Sequence, residues 1–382
     1  MPARRHYLDH ASTSPARPEV VEAMVPWFAG EGAADPGRVH TEGRIARAAV
    51  EESRARVAEL LGARPRQIIF TSGGTEAINA AVWGAVQARP GAAILSTAVE
   101  HSAVRDASSR HAEVIEAGVD GLGRVDVGSF AVALDRTADN GTPVALAHCQ
   151  LGNHEVATLQ PVAEMVALCQ DRGILVHVDA AAGAGHVPLD LSRLGADLVS
   201  VSAHKLGGPK GVGALVVGRG LRLDPLILGG EQERARRGGI ENTPAIVGFG
   251  TAAELLADGG LAEEGARAWS QTGRVLELAG ALDGVTIYGD PLGRLPHIAC
   301  LGVAGVEAEA VLLGLDQEGI AIHSGSACSS ESLAPSPVLE AMGADAERSL
   351  RVSVGWSTSD TDIDALVAAL PRVVDRLRAL RV

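Results

Sequence analysis

From about residue 41 the chain alternates between two apolar patterns, and this restricts the fold more than any other feature. RIARAAVEESRARVAELLG repeats its apolar residues at helical spacing and stops at Gly62. QIIFTS is a short continuous apolar run of strand length, and GGTEAINAAVWGAVQA behind it is helical again. AAILST, AEVIEAG and PVALAHCQL follow as strands, QPVAEMVALCQDRG as a helix, then ILVHVDAAA and LGADLVSVSAHK as strands. GVGALVVG reads as a strand returning after a glycine-rich turn. Strands that alternate with helices predict a mainly parallel, doubly wound α/β sheet with ligands at the strands' C-terminal ends.

After about residue 245 the texture changes. AIVGFGTAAELLAD and LAEEGARAWSQTGRVLELAGAL are helical, VTIYG, HIACLGV, IAIHSG and SLRVSVGW are short strands, and TDIDALVAALPRVVDRLRAL is a closing helix. The sequence thus predicts a large α/β domain over 15–250 and a smaller α+β domain formed by 1–14 and 251–382. At 382 residues and 46% hydrophobic content the chain can bury two cores.

Composition narrows the partners. A formal charge of −14 argues against broad binding to nucleic acid or to an anionic membrane. No stretch offers 18 uninterrupted apolar residues, and MPARRHYLDHAS lacks an apolar signal run, so the expected location is cytoplasmic. The four cysteines form no C-x-x-C pair, which indicates neither a disulfide framework nor a zinc site. Cys149, Cys169 and Cys300 sit in apolar segments and are expected in the core. Cys328 differs: it lies in HSGSACSSES, among small polar residues with little to pack against.

Three features carry chemistry. In SVSAHKLGGPKG, Lys205 follows an apolar strand and precedes a glycine-rich turn, which places its amine at the strand's C-terminal end. HVDAAAG puts Asp179 at the end of another buried strand, where an unpaired carboxylate is costly. TSGGTEA puts Gly73, Gly74 and Thr75 at a strand-to-helix junction, an anion site made of free N–H groups. A lysine, a buried acid and a phosphate cradle are what pyridoxal phosphate needs: a Schiff-base amine, a partner for the pyridine nitrogen, and an anchor.

These motifs, with EHSAV around His101, GNHEVATLQP, GGEQERARRGGIENTPAIVG and SGSACSSESLAPSPVLEAMG, resemble the NifS/IscS-type cysteine desulfurases of the class V aminotransferase family. The resemblance runs from YLDHASTSP at residue 7 to RVSVGW near 356. It implies the pyridoxal-phosphate-dependent transferase fold of type I and conversion of L-cysteine to L-alanine, with a persulfide left on Cys328 for a protein sulfur acceptor. It also implies a homodimer. Lys205 is then the Schiff-base lysine and proton carrier, Asp179 the pyridine partner, and His101 the ring-stacking group. Gly74, Thr75, Ser202 and His204 hold the phosphate, Arg351 pairs with the substrate carboxylate, and Asn153 lines substrate and cofactor. The acceptor stays open between an iron–sulfur scaffold, a tRNA-thiolating enzyme, a sulfur-relay protein and a DNA phosphorothioation system. Selenocysteine lyase, another class V activity, and a partner-dependent sulfur-transfer scaffold remain alternatives.

The chain departs from the family pattern at three positions. Ala182 stands where the family has a glutamine that bonds the cofactor's ring oxygen. His154 replaces an asparagine and is expected to take over part of that contact. Ile240 stands where a threonine would reach the phosphate across the dimer interface.

Overall fold

The computed structural model describes residues 5–325 and 335–380; Cys328 lies outside the described residues. The chain opens with a two-residue strand, β1 (His6–Tyr7), and then builds a large sheet from seven strands. These are β2 (Ile68–Thr71), β3 (Ala93–Thr97), β4 (Val114–Ala117), β5 (Val144–Gln150), β6 (Leu175–Asp179), β7 (Leu198–Ser202) and β8 (Gly213–Val217). Their order is β2-β8-β7-β6-β5-β3-β4. Only β8 runs against its neighbours; the remaining pairs are parallel. The doubly wound α/β reading holds.

The strands read as continuous apolar runs because the sheet is covered on both faces. Successive residues go to opposite cores. Ile68 and Phe70 join one core with the helices Thr41–Leu60 and Thr243–Leu255, while Ile69 joins the other with the helix Gly74–Ala88. Val199 and Leu198, and Val216 and Leu215, divide in the same way.

Thr243–Leu255 is apolar on every side, and ten of its residues are buried. It lies so close to Thr41–Leu60 that a Cβ at Gly250 would meet Ser53 Cβ at 2.6 Å. Beyond it the chain makes one wide turn, with Gly259 at φ 100°, and continues as the helix Leu261–Ala281. Among the described residues Thr243–Ala281 is the one helical stretch long and apolar enough to cross a membrane. Its apolar half is a core helix of the sheet domain.

The second core gathers around an antiparallel sheet made of β9 (Val285–Tyr288), β10 (Ile298–Val303), β12 (His323–Ser324) and β13 (Ser349–Ser353), in the order β12-β13-β10-β9. β11 (Ile320–Ala321) pairs instead with β1. IAIHSG, expected as one strand, therefore splits at Ile322 and serves two sheets. Leu8 belongs to this second core together with Val275, Leu301, Leu350 and Leu366.

Two helices, Ser102–His111 beside the cavity residue His101 and Val127–Asp139 away from it, were not predicted by periodicity. The first is polar and short, and a His101 side-chain cap starts it. In the second, Asp126 caps the N-terminus by accepting from Gly128 and Ser129 N–H.

Candidate active site

A cavity of about 260 Å³ opens where β5, β6 and β7 end. Its wall holds Lys205, Asp179, His101, Arg351, His154 and the cradle residues Gly74, Thr75, Ser202 and His204. Among the described residues singled out from sequence for the site, Asn153, Gly73 and Ile240 are missing from the wall: Gly73 lines the neighbouring space at the cradle, Ile240 lies in a separate pocket, and Asn153 lines neither. Asn153 is fully buried, its Nδ2 donates to Val99 O at 3.2 Å, and its Oδ1 accepts from Glu155 and Val156 N–H, both at 2.8 Å. Its amide shapes the loop behind His154 instead of lining the cavity.

Each wall residue is placed by local structure. Asp179 ends β6, and both hydrogen bonds of its carboxylate fall on Oδ1, from Ser200 Oγ at 2.9 Å and Ala181 N–H at 3.0 Å. Those bonds fix the carboxylate plane and orient the second oxygen. Lys205 lies in a short 3₁₀ turn directly after β7, and its Nζ donates to the carbonyl of Ala11. The Lys205 carbonyl is held by His186 Nε2 at 3.2 Å, and the His186 ring stacks on His297 with centroids 3.5 Å apart. Burial pushes His186 down to about 4 and His297 well below the usual imidazole value, so both rings are neutral.

The cradle begins the helix Gly74–Ala88, whose first N–H groups have no partner within the helix. Gly213 on β8 lets this turn come close: a Cβ there would lie 2.7 Å from the Gly73 backbone. A second space of about 330 Å³ shares these groups and adds Thr13, Ser72, Lys210 and the Glu76 carboxylate, which is paired with Arg237. Burial, then the charges of Lys205 and Lys210, push His204 down to about 4. An anion bound here would counter those two lysines.

His101 caps its helix by accepting Ala103 N–H at 3.1 Å, which fixes the ring at the rim. The ring meets His154 edge to face, with centroids 5.0 Å apart. His154 and Ala182 share the wall. His154 Nε2 also lies 3.3 Å from Glu155 Oε1.

Sequence reasoning missed Gln150. It ends β5 in register with Asp179 on β6 and lines the cavity beside Ala182. Its Nε2 donates to Val99 O, which also receives Asn153. The available signal was positional: Gln150 is the polar last residue of an apolar strand, as Asp179 is.

The donor set suits pyridoxal phosphate. It offers an amine, a carboxylate with one oxygen already saturated, an imidazole at the rim and a helix N-terminus flanked by hydroxyls.

The aminotransferase class-V family model matches residues 6–366. The cysteine desulfurase IscS 1 of Archaeoglobus fulgidus is 38% identical over 383 residues, covering 98% of each chain. The IscS-like cysteine desulfurase of Mycobacterium tuberculosis is 41% identical, covering 97% of each. Among solved structures, a NifS-like protein from Rickettsia africae superposes with a TM-score of 0.88 at 28% identity, over 97% of this chain and 100% of the other. SspA in complex with cysteine superposes with a TM-score of 0.76 at 27% identity, over 91% of this chain and 98% of the other.

Proposed function

The chain belongs to the aminotransferase class-V family, and from that premise we propose that the cavity converts L-cysteine to L-alanine and passes the sulfur to Cys328. The chain is a pyridoxal-phosphate-dependent cysteine desulfurase. The observation that carries the residue assignments is the meeting of Lys205, Asp179, His101, Arg351 and the Gly74–Thr75 cradle in one cavity.

Held there, the cofactor supplies an electron sink for the charge that develops at the substrate Cα. Gly74, Thr75, Ser202 and His204 anchor its phosphate, and Asp179 keeps a proton on its ring nitrogen. Arg351 holds the substrate carboxylate, and Lys205 Nζ takes the Cα proton. His101 covers the ring face and returns a proton as alanine forms. The Cys328 thiolate attacks the substrate sulfur, an S–S bond forms as the C–S bond breaks, and the electron pair leaves with the alanine carbon.

The assignment of Cys328 rests on the resemblance and is supported by its neighbours. His323 pairs with Arg351 across β12 and β13, and Gly325 N–H donates to Ser349 O at 3.0 Å. On the other side the Ser336 hydroxyl donates to Glu155, which also lies beside His154. One flank of the Cys328 stretch is thus tied to the lining residue Arg351, and the other to Glu155, the neighbour of the lining residue His154.

Two separate cores support a division of the kind 15–250 against 1–14 with 251–382, with Ala252, Ala253 and Leu256 still in the first core, and Leu8 in the second core supports assigning the N-terminal segment to the smaller unit. Exposed Val25, Phe28, Leu228 and Ile240 support a homodimer. The sulfur acceptor is a protein, and the compartment is the reducing cytoplasm, in keeping with three free, buried cysteines. The test is mass spectrometry of the protein after incubation with L-cysteine. One added sulfur on the peptide bearing Cys328, with alanine released in equal amount, is expected. Alanine release undiminished in Cys328→Ala would refute the sulfur path.

A further inference from the structure

EHSAV brings His101 to the cavity wall, and the residue before it has no part in the scheme above. Glu100 lies in the turn between β3 and the helix Ser102–His111 and is 1% exposed. β3 and β5 pair as far as Leu95 and Ala147, with one register shift between Ala93 and Ile94. Beyond that point the Glu100 carboxyl stands in for a strand partner. Its Oε1 accepts Gln150 N–H at 2.9 Å and the Thr97 hydroxyl at 2.8 Å. Its Oε2 is buried with no hydrogen-bond partner among the described residues.

The titratable groups that face it are Asp179 at the end of β6, His154 in the loop after β5 and the Cys149 thiol on β5. Neither hydrogen bond needs a charge, because a protonated acid accepts both through its carbonyl oxygen. An ionised carboxyl would bury an oxyanion without a donor and set it against Asp179.

We propose that Glu100 is a positioning residue that works as a neutral carboxylic acid, tying the end of β5 to the His101 turn while leaving Asp179 without a second buried anion beside it. Burial is the main force on this group; with the Asp179 charge it outweighs the bonds from Thr97 and Gln150 and pushes the carboxyl up to about 8. The neutrality of Glu100 is a property of the fold. Its consequence for the cofactor rests on the function proposed above.

Two measurements separate these. The infrared difference between the apoprotein and E100Q at about pH 6.5 should show a protonated carboxylic acid band. In the wild type alone that band should titrate away as the pH is raised, which requires no variant. A carboxylate signature at the lower pH would overturn the proposal. Pyridoxal phosphate affinity is then followed by fluorescence titration across neutral to alkaline pH. The wild type should lose roughly fivefold more affinity than the isosteric E100Q as Glu100 ionises. Equal pH slopes would overturn the positioning role. If neither protein binds the cofactor at any pH, the proposed function fails and the positioning role with it, while the infrared spectra still decide the state of the acid.

Discussion

Arg351 reaches the cavity already paired with Asp9, Nη2 to Oδ1, at 3.0 Å. The same nitrogen donates to Ser12 Oγ at 2.7 Å, and Nη1 donates to the His154 carbonyl at 2.9 Å. Strand β13, the N-terminal segment and the loop after β5 therefore fix one guanidinium together. A side chain held on three sides loses little further freedom on meeting a carboxylate.

Replacing Arg351 by lysine keeps the charge and removes the fork. The KM for L-cysteine should rise roughly 10–100-fold, the equivalent of one charge-assisted hydrogen bond. Cofactor absorbance should be unchanged. A KM within about twofold of wild type would show that Arg351 does not hold the substrate.

Lys205→Ala removes the bond from Lys205 Nζ to the Ala11 carbonyl. It should abolish the visible absorbance of the bound cofactor. Exchange of the substrate Cα proton with deuterated solvent should fall by roughly 10²–10⁴-fold, the scale of a lost general base. Retained exchange would move the proton-transfer role to another residue.

Much of this site was legible because its residues punctuate apolar strands. Asp179 and Lys205 each end such a run, and the cradle starts a helix, so sequence order alone places them at one sheet edge. Asn153 escaped that logic: the loop after β5 turns back on itself, and the local backbone consumes the amide. Gln150 was overlooked because a glutamine at a strand end carries no chemistry until its register with Asp179 is known. The division of IAIHSG between two sheets depends on β1 arriving from more than three hundred residues away, which no local pattern records.

Glu233, Arg234 and Ala235 all have positive φ, at 49°, 61° and 58°. Non-glycine residues adopt this region only at a cost. What holds them is a buried pair: Arg54 Nη1 and Nη2 lie 2.7 and 2.8 Å from the Glu233 carboxylate, which also accepts Phe70 N–H at 3.1 Å. Glu233→Gln should cost about 2–3 kcal/mol, because buried Arg54 loses its bidentate carboxylate and keeps only Glu51 at 3.3 Å and the Ile68 carbonyl at 3.0 Å. Arg237, just beyond, bonds Glu76 on the cradle helix, so the same variant should also weaken cofactor binding. Urea unfolding and cofactor titration of the variant check both effects; unchanged stability would refute the anchoring role.

Acid should weaken the fold through buried neutral imidazoles. His148 and His177 face each other Nδ1 to Nδ1 at 2.9 Å between β5 and β6, and Ser108 holds His148 Nε2 at 3.1 Å. Burial pushes His177 down to about 4 and His148 well below its usual value. His10 and His186 are likewise pushed down to about 4. Unfolded, each of these rings binds a proton near its ordinary value of 6.5, whereas folded His10, His177 and His186 wait until about pH 4 and His148 is held well below 6.5. Between those values the unfolded chain holds more protons, so stability falls as the pH falls. Glu100 acts in the opposite sense from about pH 8 down to its ordinary value of 4.5, since there the folded chain keeps the extra proton. Several histidines against the raised carboxyls of Glu100 and Asp197 leave the net slope positive below pH 6.5. Urea denaturation at a series of pH values should show it. His177→Gln should reduce that slope by up to about 1.4 kcal/mol per pH unit, the contribution of one proton. A variant slope identical to that of the wild type would mean that His177 does not take up a proton on unfolding.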